Sequence, residues 1–290
     1  MLYIIITCYN SEKTIAKTLD SIINQTMLDE YKIIIVNDCS TDATKDIVKT
    51  YKKSYPKNIK IVNNYKNKGA GWSRRIGLRY VNKSKDNWVT FIDSDDYVGE
   101  TYLYNLWLYT QYSFIDIISG SITFVNEKTN EYKSIDIKPR YINENLIDDL
   151  FSDKIYFLNN KLVRASLFKK VKYSKSRFIE DVPTLIKLCL NARAIQVVNN
   201  KEYYYRSRED SLTHTADDIK YNIYDTLSKI ECYKYFVNNF KGEVPKHFNL
   251  KAIVTNIALL KVNNININEI YKQYPKEIDT IFKFLKSKGY

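Results

Sequence analysis

Apolar positions change period along the first hundred residues. LYIIITC (2–8) and YKIIIVN (31–37) are continuous apolar runs, IKIVN (59–63) is a shorter one, and Val89, Phe91 and Ile92 form a fourth within WVTFIDSDDYV (88–98). Runs of this kind, apolar on both faces, predict strands buried in a parallel sheet. Between them the spacing is helical. Ile15, Leu19, Ile22 and Ile23 share one face up to about Gln25, behind an N-cap offered by Asn10 and Ser11. Thr41 or Asp42 is placed to cap a helix through about Tyr51, and NKGAGWSRRIGLRYV predicts a helix with Ile76, Leu78 and Val81 inward. Alternation of strand and helix predicts a doubly wound α/β sheet, whose ligands sit beyond the carboxyl ends of the strands.

Later segments are more mixed. A Tyr- and Leu-rich helix is expected over 100–112, strands over 115–126 and 131–137 joined by the turn KTN, and short helices at NENLIDDLF and VRASLFKKV. Glu180 and Asp181 precede a helix with Leu185, Leu188 and Cys189 inward, and Pro183 fits its first turn, where a missing N–H does no harm. Short strands are expected at 195–198 and 203–205. From Ala216 the pattern is helical, two or three helices with breaks near 242–245 and 263–268.

Polar clusters stand where the strands end. Asp93, Asp95 and Asp96 follow the fourth run, and Asp93 and Asp95, two apart, share a face of an extended backbone. Neighbouring carboxylates repel unless a hard divalent cation lies between them and takes phosphate oxygens as further ligands. The cluster thus points to a metal-diphosphate site, against the plainer alternative of an acidic turn. CYNSEK, after the first strand, contains no glycine, which disfavours both a dinucleotide fingerprint and a Walker loop. The pair Glu180–Asp181 is also what a helix N-terminus favours on electrostatic grounds alone.

Composition narrows the setting. The chain has 290 residues, enough for a sizeable core, and its four Cys (Cys8, Cys39, Cys189, Cys232) are scattered beside only two His, which argues against zinc and against a disulfide framework. A reducing cytoplasm is the expected compartment. The N-terminal apolar run is too short to cross a bilayer, so a soluble protein is expected, at most peripheral at the inner face of a membrane. The net charge of +12 is concentrated: residues 45–88 hold 13 Lys and Arg against Asp46 and Asp86, while the rest of the chain carries 32 against 31. That segment is either a solvated basic face or a landing surface for a polyanion such as a phosphate-rich polymer, nucleic acid or an acidic membrane.

The succession ITCYN, VNDCSTD, NKGAGWSRRIG, FIDSDD, IEDV and YYYRSREDSLTH resembles the family 2 inverting glycosyltransferases of the GT-A fold, over residues 1–215. The resemblance implies a nucleotide-sugar transferase domain over 1–215, with a mixed sheet flanked by helices, and leaves 216–290 as a helical region for the acceptor side or for oligomerisation. It implies that Thr7, Tyr9 and Asp38 hold a uracil-like base, Tyr9 by stacking and Asp38 by accepting a ring N–H. Gly69 would let the backbone approach the nucleotide, and Arg74 would take a phosphate or brace the acidic cluster. Ser73 and Arg75 depart from the usual Ala and Asn, so Arg74 and Arg75 compete for that role. Asp93 would contact the ribose or the metal and Asp95 would bind Mn or Mg on the diphosphate of a UDP-sugar, while Asp96 would cap the next segment. Asp181 would be the general base, with Glu180 as its alternate. Arg206, Arg208, Ser211 and His214 would form a loop over the diphosphate, His214 as a third metal contact. The implied acceptor is a hydroxyl of a glycan or phosphate-rich surface polymer; modified DNA and non-catalytic glycan binding are the alternatives.

Overall fold

The computed structural model describes residues 1–26, 30–142, 147, 157–174, 179–207, 218–241, 243–262, 272 and 275–289. The first half alternates as the apolar pattern requires: β1 (Leu2–Cys8), α1 (Ile15–Ile23), β2 (Tyr31–Asn37), α2 (Thr44–Ser54), β3 (Ile59–Asn63), α3 (Ala70–Gly77) and β4 (Trp88–Asp93). Then come β5 (Tyr97–Val98), α4 (Tyr102–Trp107), β6 (Ile117–Ser119), β7 (Thr123–Asn126), β8 (Glu131–Ser134), β9 (Arg140–Ile142) and β10 (Lys161–Arg164). The chain continues through α5 (Asp181–Asn191), β11 (Ile195–Val197), β12 (Tyr203–Arg206), α6 (Asp218–Asn239), α7 (Leu250–Val262) and α8 (Pro275–Lys286).

Among the described residues the main sheet runs β3-β2-β1-β4-β10-β6-β11-β9. β3, β2, β1 and β4 are parallel, whereas β10 is antiparallel to both β4 and β6, so the sheet is mixed. A smaller sheet, β5-β12-β7-β8, lays β12 antiparallel to β5, directly after the acidic turn. Alternation along the central strands supplies both faces of the main sheet. Ile4 and Ile6 pack with Leu19 and Ile22 of α1, Val48 of α2 and Leu103 and Leu106 of α4. Ile5 packs on the other face with Val89, Phe91, Leu78 and Leu185. α3 lies very close to β1 there: a Cβ on Gly77 would stand 2.6 Å from Ile5 Cγ2. A third cluster joins Ile223, Ile230, Ile253, Ile278, Ile281 and Phe284 of the C-terminal helices, while Cys232 and Phe236 of α6 reach the sheet-face core. No helix among the described residues is long and apolar enough to cross a membrane.

Two local expectations are overturned. VRASLFKKV is not one helix: Val163 and Arg164 pair with Val89 and Trp88 of β4, and only Ala165–Lys169 turn, as a 3-10 helix. Val163, fully buried like Leu162 before it, serves a central strand, a position that the apolar pattern cannot tell from a helix. Residues 115–126 are not one strand either. The chain leaves the main sheet at Gly120 and Ser121, whose N–H groups bond to Asn160 and Asn200, and enters the smaller sheet as β7. NENLIDDLF and the break at 263–268 lie largely outside the described residues.

Candidate functional site

Parallel register levels the carboxyl ends of the central strands. Thr7 stands between Val36 of β2 and Asp93 of β4, so the residues following all three strands converge on one rim. Tyr9 lies just beyond β1 and is 47% exposed, an aromatic face open to a ligand. Asp38, beyond β2, is buried. Its carboxylate accepts from Asn64 Nδ2 at 2.7 Å, from the Lys68 N–H at 3.0 Å and from the Gly69 N–H at 2.7 Å. Asp38 therefore anchors the turn that opens α3, with an anion at the positive end of a helix. Gly69 has φ 88°, in the left-handed region that a side chain would resist, and this is what aims its N–H at Asp38.

The acidic turn is pinned from below. Ser94 Oγ bonds to Ser11 Oγ at 2.8 Å, and the Ser94 carbonyl accepts from Thr14 Oγ1 at 2.9 Å and Thr18 Oγ1 at 3.0 Å. Asp96 does not cap the following segment. It is buried, accepting from the Tyr203 hydroxyl at 2.7 Å and the Arg206 N–H at 3.1 Å. Burial, with Asp95 and Asp93 nearby, raises its carboxyl far above the usual range. The Arg206 guanidinium bonds to the Asp95 carbonyl and reaches Thr14 O at 3.4 Å and Glu127 at 3.5 Å. The structure thus places Arg206 as a brace behind the turn, leaving Asp93 and Asp95 partly exposed at its rim.

One guanidinium joins this rim to the helix opposite. Arg74, buried on the inner face of α3, donates to Asp93 Oδ1 at 2.5 Å, to Glu180 Oε1 and to the Tyr173 hydroxyl at 3.2 Å. Glu180 precedes α5, and Asp181 begins it. Burial pushes Glu180 up to about 7 against the pull of Arg74, with Asp181 adding to the rise. Burial likewise raises Asp181, with Arg74 opposing and Asp93 reinforcing. Arg75, one residue on, turns away and lies 5.3 Å from the Trp72 ring, so the structure places Arg74 and not Arg75 at the carboxylates.

Arg208, Ser211 and His214 lie outside the described residues. Among the described residues no group of three or more His, Cys, Asp and Glu could hold a metal. Asp93 and Asp95 are an oxygen-only pair at an open rim, which fits Mg or Mn kept by few protein ligands and completed by water and diphosphate oxygens. Sequence reasoning missed Asn159, Tyr173 and Tyr203. Asn159 donates to Asp93 Oδ2 at 3.4 Å from the loop before β10. No motif marks it, and the two tyrosines are hidden among 26 in the chain.

Comparison with known proteins adds to this geometry. The family described as glycosyl transferase family 2 matches residues 3–172. The poly(ribitol-phosphate) beta-glucosyltransferase of Bacillus spizizenii is 33% identical over 213 residues, 71% of this chain and 32% of that protein. The poly(ribitol-phosphate) beta-N-acetylglucosaminyltransferase TarS of Staphylococcus aureus is 28% identical over 215 residues, 71% of this chain and 35% of that protein. The chain thus spans about a third of the length of these curated relatives. The crystal structure of S. aureus TarS 1-349 in complex with UDP-GlcNAc superimposes with a TM-score of 0.67 at 25% identity, covering 83% of this chain and 68% of that one.

Proposed function

The chain belongs to glycosyl transferase family 2 and has the GT-A fold, and from that premise we propose that it transfers a sugar from a UDP-sugar to a hydroxyl of a phosphate-rich surface polymer, with inversion at the anomeric carbon. The observation that carries the reading is the Arg74 bridge, which fixes a carboxylate at the donor rim, Asp93, against Glu180, the residue just before Asp181 at the start of α5.

In this reading Tyr9 stacks on the uracil ring and Asp38, beside Thr7, accepts its N–H, while Gly69 lets the backbone pass close to the nucleotide. Asp93 and Asp95 would hold Mg or Mn, which when bound supplies positive charge to the departing diphosphate. His214, Arg208 and the segment around them would close over the diphosphate. Arg74 orients Asp93 and Glu180, whose carboxylate is occupied by that guanidinium. Asp181 is then the general base: it takes the acceptor hydroxyl proton as the oxygen bonds to the anomeric carbon on the face opposite the breaking bond to phosphate, and UDP leaves with that electron pair. A carboxyl raised by burial serves this better than one at the ordinary value, because a stronger base drives the transfer further. Residues 1–215 would form the transferase domain and 216–290 the acceptor-side or oligomerisation region.

The acceptor class rests on the names of the relatives and on the concentration of cations in 45–88. Incubation with a panel of UDP-sugars, Mn and poly(ribitol phosphate), with UDP release as the readout, tests it. Polymer-dependent release from at least one donor is expected; none from any donor would refute the reading.

A further inference from the structure

The outward face of α3 carries a ladder of cations and aromatic rings that the transfer chemistry does not use. Lys68 just before α3, Trp72 and Arg75 on it, and Arg79 in the 3-10 turn that follows (Leu78–Tyr80) recur at helical spacing on the side opposite the buried Ser73, Arg74 and Gly77. Lys68 Nζ stands 4.3 Å above the Trp72 ring and 5.0 Å from that of Tyr65, and the Arg75 guanidinium lies 5.3 Å from Trp72. Beside them, on the edge strand β3, Lys60 Nζ lies 4.3 Å above the ring of Tyr80. Tyr65 is 82% exposed and Tyr80 43%, so the rings present surface to solvent.

These cations are uncompensated. Of the 13 Lys and Arg in 45–88, only Lys49 and Arg74 have carboxylate partners among the described residues. Stacking holds a guanidinium or ammonium in place and desolvates one side of it, leaving the other side for an anion. The upper end of the ladder is the turn where the Lys68 and Gly69 N–H groups hold Asp38, so the ladder meets the rim of the nucleotide pocket.

We infer that this face of α3, with Lys60 and Tyr80 of the neighbouring edge, is a docking track for the phosphodiester backbone of the acceptor polymer. Cations take successive phosphates, and the rings pack against the apolar carbons between them. The inference rests on the proposed polymer acceptor, but its test needs no turnover. Poly(ribitol phosphate) is titrated into the protein at several salt concentrations, following Trp72 fluorescence and calorimetry, with neutral dextran of the same length as control. Wild type should bind the polymer and not dextran, with affinity falling steeply as salt rises. K60Q/R75Q/R79Q should lose affinity at least tenfold at low salt and reduce the salt slope by about one for each cation removed. UDP binding and melting temperature should stay at wild-type values, which shows that the variant folds. The inference is overturned if the triple variant binds polymer as wild type does, or if anionic phospholipid vesicles or single-stranded DNA bind more tightly than the polymer and depend on the same three residues. If wild type shows no polymer-dependent UDP release yet the titration gives the expected loss, the reaction is misassigned and the track stands.

Discussion

Arg74→Met tests whether one guanidinium organises the site. The substitution keeps much of the side chain's length but removes the partner of Asp93 and Glu180, carboxylates at the end of β4 and the start of α5. Removing one member of a buried ion pair costs about 3–5 kcal/mol, because the remaining charge is left desolvated. The cost should depend on pH. Glu180, already pushed up to about 7 with Arg74 present, is surrounded by Asp181, Asp93 and the Tyr173 hydroxyl, so without the guanidinium its carboxyl rises further. A folded-state value above the unfolded one means the folded state holds the proton more tightly, so this group's contribution is fully present below about 4.5 and is lost as pH rises to about 7 in wild type. The rise from 4.5 to about 7 corresponds to about 3 kcal/mol over that window. In Arg74→Met the decline should continue past pH 7, widening the stability gap between variant and wild type from pH 6 to pH 9. Urea denaturation across that range measures it. Arg74→Met/Glu180→Gln should recover a large part of the loss, because a neutral amide needs no countercharge. A variant losing less than about 1 kcal/mol at pH 8, or a double variant no better than the single one, would refute the bridge as an energetic unit.

Asp181→Asn should lower kcat by about 10²–10⁴-fold, the usual contribution of a general base, with UDP affinity unchanged by calorimetry. Asp95→Ala should instead weaken Mn-dependent UDP binding and leave metal-free UDP binding as it is, measured in parallel titrations with and without chelator. Tyr203→Phe removes the hydroxyl that Asp96 accepts from and should cost about 1–3 kcal/mol in chemical denaturation, since the acceptor stays buried. Gly77→Ala places a Cβ 2.6 Å from Ile5 Cγ2 and should cost about 1–3 kcal/mol in thermal and urea melts, despite the better helix propensity of alanine.

Sequence alone determined those features whose causes are local. Continuous apolar runs fixed β1, β2 and β4, helical spacing fixed the inward face of α1, and a strand that ends abruptly put Asp93 and Asp95 on a rim. Glu180, Asp181 and Pro183 marked the start of α5 for the same reason: helix N-termini favour acids and tolerate proline. The tertiary structure decided what depends on which elements become neighbours. Val163 and Arg164 read as the start of a helix until β10 is placed antiparallel beside β4, and the continuous run at 115–126 divides because its two halves pair in different sheets. Arg74 and Arg75 are equivalent in the sequence; a turn of about 100° per residue on a helix packed against β1 sends one to Asp93 and Glu180 and the other to Trp72. Asn159, Tyr173 and Tyr203 join the site from segments far along the chain, and Arg206 locks the turn from behind because β12 pairs with β5. Periodicity records which face of an element is apolar, but not what that face will meet, and it is the meeting of β4, α3 and α5 around Arg74 that makes the carboxylates one site.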